Sequence, residues 1–91
     1  MEVEPIVCDR KAAQAVRDKA RTLALFSEQG GELHLHLSGD WAYFSAGHRR
    51  SFVNAFAEAD RCLAGRIRPI RFIFRGEAVA LIDASGSVQM K

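Results

Sequence analysis

The chain lacks any apolar run near the roughly 18 residues that a membrane-spanning helix needs, so it is read as having no membrane partner. Its start, Met1-Glu2-Val3-Glu4-Pro5, is acidic and carries no basic segment followed by an apolar one, which argues against a secretory leader and predicts a cytoplasmic protein. Cysteine is scarce: Cys8 and Cys62 stand far apart and form no CxxC pair. Neither a zinc knuckle nor a disulfide framework is signalled, and two reduced structural thiols are expected. Charge of one sign is also wanting, because 13 Lys and Arg against 11 Asp and Glu leave a formal charge of only +2. That sum does not mark a nucleic-acid binder, although a pI near 8.8 permits one. Repeats, low-complexity tracts and linkers are absent.

What is present fits a single α+β domain over residues 1–91. A hydrophobic fraction of 48% with 26% charged residues is that of a folding chain. Arginine outnumbers lysine and alanine is common, a bias associated with GC-rich bacterial genomes. The clearest local signal is Glu32-Leu33-His34-Leu35-His36-Leu37-Ser38. Its period of two predicts a strand with the leucines on a buried face and Glu32, His34 and His36 opposite.

The remaining elements follow from periodicity and punctuation. Val3 to Cys8 is expected as a short edge strand. Asp9 is a good N-cap for a helix with Ala13, Val16, Ala20, Leu23 and Ala24 on one stripe, stopping at Gly30-Gly31. The alternating strand then turns at Gly39-Asp40 and returns through Trp41 to Phe44 as a hairpin. A second helix spans about His48 to Ala64, with Phe52, Phe56, Ala59 and Leu63 on its stripe, and closes at Gly65. Ile70 to Arg75 is a strand, joined by a type II′ turn at Gly76-Glu77 to a partner that runs to Ile82. In this register Phe72 and Phe74 face Leu81 and Val79 on the core side. Asp83 to Gly86 turns the chain, and a three-residue loop with Gly86 in a left-handed bulge pairs Ile82 with Val88 and Ala80 with Met90. The order (β)αββαββ predicts an antiparallel sheet of four to five strands with two helices on one face, in the ferredoxin-like order.

Several clusters bear chemistry. His34 and His36 project to one side of a strand and are candidate metal ligands if His48, Asp40 or Glu32 joins them. Cys8 precedes a helix N-terminus, where a thiolate is favoured, and is a candidate nucleophile if a histidine lies beside it. Gly47-His48-Arg49-Arg50 places cations where the helix dipole favours anions, so with Ser45 it is a candidate anion site. Arg61, Arg66, Arg68, Arg71 and Arg75 occupy a stretch free of acids. With Trp41 or Tyr43 exposed, they could bind nucleic acid, though no RNP-like motif is present. Leu37-Ser38-Gly39-Asp40 and Asp83-Ala84-Ser85-Gly86 resemble pieces of the STAS regulatory domains. That resemblance covers eight residues and assigns a role to none.

The predicted registers put Ile73, Ile82, Val88 and Met90 together on the outer sheet face between Arg71 and Arg75. An apolar patch of this kind is normally covered by another chain. The sequence therefore points to a small non-enzymatic regulatory or adaptor domain, without cofactor, that acts through protein–protein contacts and forms a homodimer. A nucleic-acid binder is the alternative, and a metal or thiol enzyme using His34 and His36 or Cys8 is the second.

Overall fold

A computed structural model describes residues 8–91. It has an α+β fold of two helices and a five-stranded sheet in the order α1 (Arg10–Leu23), β1 (Ala24–Gln29), β2 (Glu32–Leu37), a 3-10 turn (Gly39–Tyr43), α2 (Ala46–Ala64), β3 (Ile70–Phe74), β4 (Glu77–Ile82) and β5 (Val88–Met90). The expected strand from Val3 to Cys8 falls almost wholly outside the described residues. Strands lie side by side in chain order, β1 to β5.

Asp9 caps α1 as its position predicts, its carboxylate accepting from the N–H groups of Lys11 at 3.0 Å and Ala12 at 3.1 Å. The helix ends earlier than its stripe suggests. At Leu23-Ala24-Leu25-Phe26 four apolar residues run together, and a helix would turn some of them to solvent whatever its rotation. As strand β1 they alternate, with Ala24 and Phe26 turned to the core and Leu25 to the other side. Gly30 and Gly31 then make a two-residue hairpin turn, with φ of 57° and 81°. Positive φ at both central positions is what a type I′ turn requires and what glycine permits.

β2 therefore finds its hairpin partner before it, not after it. Gly39 to Tyr43 is a 3-10 turn that buries Trp41, not the returning strand. Helix α2 carries the chain across to β3, which pairs with β2 in parallel, so the sheet is mixed and not wholly antiparallel. Among the described residues the elements run αββαβββ, and the expected first strand of a ferredoxin-like order falls outside them.

A second revision concerns β3 and β4. Their turn has Arg75 and Gly76 at its centre, with φ of 53° and 81°, a type I′ loop one residue earlier than the II′ loop expected. Phe72 pairs with Ala80, Ile73 with Ala78 and Phe74 with Glu77, while Val79 is accommodated by a bulge. A one-residue slip exchanges the faces of a strand. Ile82 accordingly lies in the core, 4% exposed. The β4–β5 pairing of Ile82 with Val88 and Ala80 with Met90 is as the Gly86 loop predicts, with Gly86 at φ 89°. Val88 and Met90 follow Ile82 and Ala80 to the core side, where they pack at its edge.

Both helices cover one face of the sheet. Across the inner side run two rows, Phe26–Leu35–Phe72–Ala80–Met90 and Glu28–Leu33–Ile70–Ile82–Val88. Ala20 from α1 and Val53 and Phe56 from α2 lie against them, with the Phe26 and Phe72 rings edge-on to Phe56 and the Phe52 ring stacked beside it. Asp60 is the buried charge of this layer, at 3% exposure. It receives Arg68 bidentately, from Nε at 2.9 Å and Nη2 at 2.7 Å, while Arg68 Nη1 donates to Glu28 at 3.0 Å. The Asp60 bond, and Glu28 after it, raises the Arg68 pKa above its already high ordinary value despite partial burial.

The helices meet through small residues, Ala13 against Ala59, beside a disulfide between Cys8 and Cys62. The expectation of two reduced thiols is thus overturned. The bridge spans 54 positions and ties the start of α1 to the last turns of α2.

Two stability changes follow. Asp60→Ala leaves Arg68 Nε and Nη2 without their acceptors, with only the Nη1 bond to Glu28 retained, and urea unfolding should show a loss of about 3 kcal/mol. Reduction of the bridge restores loop entropy to the unfolded chain, worth about 4 kcal/mol for a loop of this length. Thermal melts with and without reductant should differ accordingly, and coincident melts would contradict the assignment.

Candidate interaction surface

The other side of the sheet has no layer over it among the described residues. Two rows cross it: Leu25–His36–Ile73–Ala78, and Ser27–His34–Arg71–Leu81–Gln89. Leu25 is 76% exposed, whereas Ile73 and Leu81 are half-buried by their neighbours. The outer surface is therefore mixed, with Leu25, Ile73, Ala78 and Leu81 interspersed among Ser27, His34, His36, Arg71 and Gln89. Of the six residues expected there, Arg71 and Ile73 lie on it. Arg75 stands in the β3–β4 turn with its guanidinium 5.0 Å from the Phe74 ring centre, and Ile82, Val88 and Met90 belong to the opposite side.

The polar side chains are hydrogen-bonded among themselves. Glu32 Oε1 lies 3.2 Å from His34 Nε2 and 3.8 Å from Arg71 Nη2, and His36 Nε2 lies 3.2 Å from Ser27 Oγ. The histidine rings, 6.5 Å apart, are thus turned toward different partners. The described residues contain no group of three or more His, Cys, Asp or Glu able to hold a metal, so the third ligand that His34 and His36 required is not supplied. His48 is engaged elsewhere, stacked on Phe44 with ring centres 4.0 Å apart. The Cys8 nucleophile is likewise withdrawn, its sulfur being bonded to Cys62.

The candidate anion site at the start of α2 is largely spent on the fold. Ser45 Oγ accepts the His48 N–H at 3.1 Å. Arg49 donates through Nε and Nη2 to the Trp41 carbonyl, at 3.3 and 3.1 Å, with its guanidinium 5.1 Å from the indole. Gly47 and Arg50 remain exposed. The arginine run is similarly divided: Arg68 is bound to Asp60 and Glu28, Arg71 approaches Glu32, and Arg61, Arg66 and Arg75 are exposed. Trp41 is 3% exposed and unavailable for stacking on a base, whereas Tyr43 is 89% exposed.

Leu25, Ser27, Leu81 and Gln89 are the surface residues that sequence reasoning does not place. Periodicity puts the first two in a helix, and the one-residue slip turns Leu81 and Gln89 inward. The uninterrupted run Leu23 to Phe26 was the available signal for the first. Comparison with protein-family models, curated proteins and solved structures finds no match for this chain.

At the far end of the sheet, Asp83 fixes the loop into β5. Its Oδ1 accepts from the Ser85 hydroxyl at 2.6 Å, the Ser85 N–H at 2.9 Å and the Ser87 N–H at 3.0 Å. These bonds, the Ser85 hydroxyl foremost, hold its pKa below the ordinary 3.8. A depressed carboxyl pKa stabilises the fold above the unfolded value, and that contribution is lost as pH falls through the folded value. Carboxyl carbon shifts should place the Asp83 midpoint below 3.8, with β5 amide protection declining only under more acidic conditions; a midpoint at or above 3.8 would refute this.

Proposed function

We propose that this chain is a small non-enzymatic regulatory or adaptor domain, homodimeric, that binds another protein through the uncovered face of its sheet. The observation that carries this reading is the one-sided layering. Both helices pack on the inner rows, which leaves Leu25, Ile73 and Leu81 around the Glu32–His34–Arg71 seam with no covering element among the described residues. Aliphatic positions framed by arginine and histidine suit a protein contact, in which the apolar side chains supply burial and the polar seam supplies register.

The nucleic-acid reading has less support, since Trp41 is buried and Arg49 and Arg68 are committed to internal partners. A metal or thiol enzyme has less again, with each histidine and Cys8 otherwise engaged. A disulfide persists in oxidising surroundings, and the reading accordingly places the working domain there and not in a reducing cytoplasm.

Affinity capture from an extract of the source cells tests the reading. The oxidised wild-type chain should retain a protein in the presence of nuclease and chelator, and Ile73→Asp combined with Leu81→Asp should lose it. Capture abolished by nuclease, or indifferent to the double substitution, would contradict the proposal.

A further inference from the structure

The edge of β1, unpaired among the described residues, carries a more specific inference, which rests on the homodimer of the reading above and places its seam. Exposed edge strands are ordinarily blunted by lysine, proline, a bulge or brevity. β1 has no lysine, proline or bulge, and Glu28, turned inward, is its one charged residue: Ala24-Leu25-Phe26-Ser27-Glu28-Gln29 keeps unbroken register with β2 over six residues. The opposite edge, β5, is only three residues long.

The donors and acceptors left at this edge can be identified. Ser38 N–H donates to the Leu23 carbonyl at 2.8 Å, so Leu23 turns its backbone toward β2. Antiparallel pairs alternate, and Leu25, Ser27 and Gln29 therefore also face β2 while Ala24, Phe26 and Glu28 present their N–H and C=O groups outward.

Beside this edge, on the inner side, runs a groove of about 400 Å³ between α1 and β1, bordered by Arg17, Arg21, Phe26 and Glu28. Arg21 lies with its guanidinium 5.8 Å from the Phe26 ring centre. Arg17 Nε is buried and has no hydrogen-bond partner among the described residues. Arg17 itself is half-buried at the border of the groove, and a guanidinium with an unpaired donor there favours an acceptor beside it.

We propose that a second copy of this chain pairs antiparallel with β1 about a two-fold axis at Ser27, joining the two sheets into one of ten strands. In that register Phe26 lies opposite the partner's Glu28, and Leu25 opposite the partner's Gln29. The partner's Glu28 points to the inner side, into the groove beneath Arg17 and Arg21, and the symmetry repeats the contact. Charge complementarity thus singles out this chain as the occupant: its own β1 carries an acid two residues from Phe26, the spacing this register needs. Glu28 Oε1 already receives Arg68, and its second oxygen is available to the neighbour. The outer rows of both copies become one continuous surface.

Light scattering of the oxidised 91-residue chain tests this. The wild type should weigh twice the 10.1 kDa chain. Glu28→Pro removes an outward N–H and, with the carboxylate, the bond to Arg68, without touching a donor to β2, and Leu25→Lys, which leaves the Arg68 bond in place, adds an edge charge at an exposed position. Each should halve the mass at unchanged circular dichroism, whereas Ile73→Asp on the outer face should leave it dimeric. A dimer that survives both edge substitutions, or dissociates with Ile73→Asp, overturns the edge pairing while leaving a homodimer in place. A monomeric wild type overturns the pairing and the homodimer together, and leaves the edge to a strand from another protein.

Discussion

Burial of Leu33, Leu35 and Leu37 along one side of β2 is the constraint on which the remaining structure depends. The three are 2%, 0% and 9% exposed, and β2 pairs with β1 on one flank and β3 on the other. Once this phase is set, pairing alone decides which side of every other strand is inside. Phe26, Phe72 and Ala80 must join Leu35, and Ile70 and Ile82 must join Leu33. The helices have one apolar surface to cover, and they cover it from one side.

Two tethers hold that layer in place, and they differ in kind. Arg68, at the entrance to β3, reaches Asp60 on α2 and Glu28 on β1, so one guanidinium fastens the crossover helix to the sheet across the layer boundary. Its worth lies in orientation, since a buried pair gains little over apolar packing yet is costly to break. The Cys8–Cys62 bridge acts between the helices, beside the contact of Ala13 with Ala59.

Much of this was legible in the sequence, and the failures have a common cause. The α+β class, the inward leucines, the Asp9 cap, the second helix and the Gly86 loop were all encoded in local chemistry. What misled was the choice between two uses of the same residues. Gly30-Gly31 can stop a helix or turn a hairpin, and the choice is made by whether a neighbouring strand is there to pair. Arg75 adopts positive φ, which its side chain disfavours, because tertiary packing of Phe72 and Ile82 outweighs the turn preference that Gly76-Glu77 advertises. Cys8 and Cys62 carry no spacing signal, as they are brought together only by the antiparallel approach of α1 and α2. From the candidate surface, Arg71, His34 and His36 were correctly turned outward, whereas Ile82, Val88 and Met90 were inverted as a group by one slipped residue.

The same β1 that local reading assigns to a helix supplies both Leu25 on the open face and the edge at which we propose that a second chain adds, so the functional account stands or falls with its conformation. Cross-strand Hα–Hα nuclear Overhauser effects in the oxidised chain address it directly. The account predicts close contacts between Phe26 and Leu35 and between Glu28 and Leu33, as in wide antiparallel pairs. Sequential helical contacts three residues apart through Ala24 to Gln29, in their place, would contradict it.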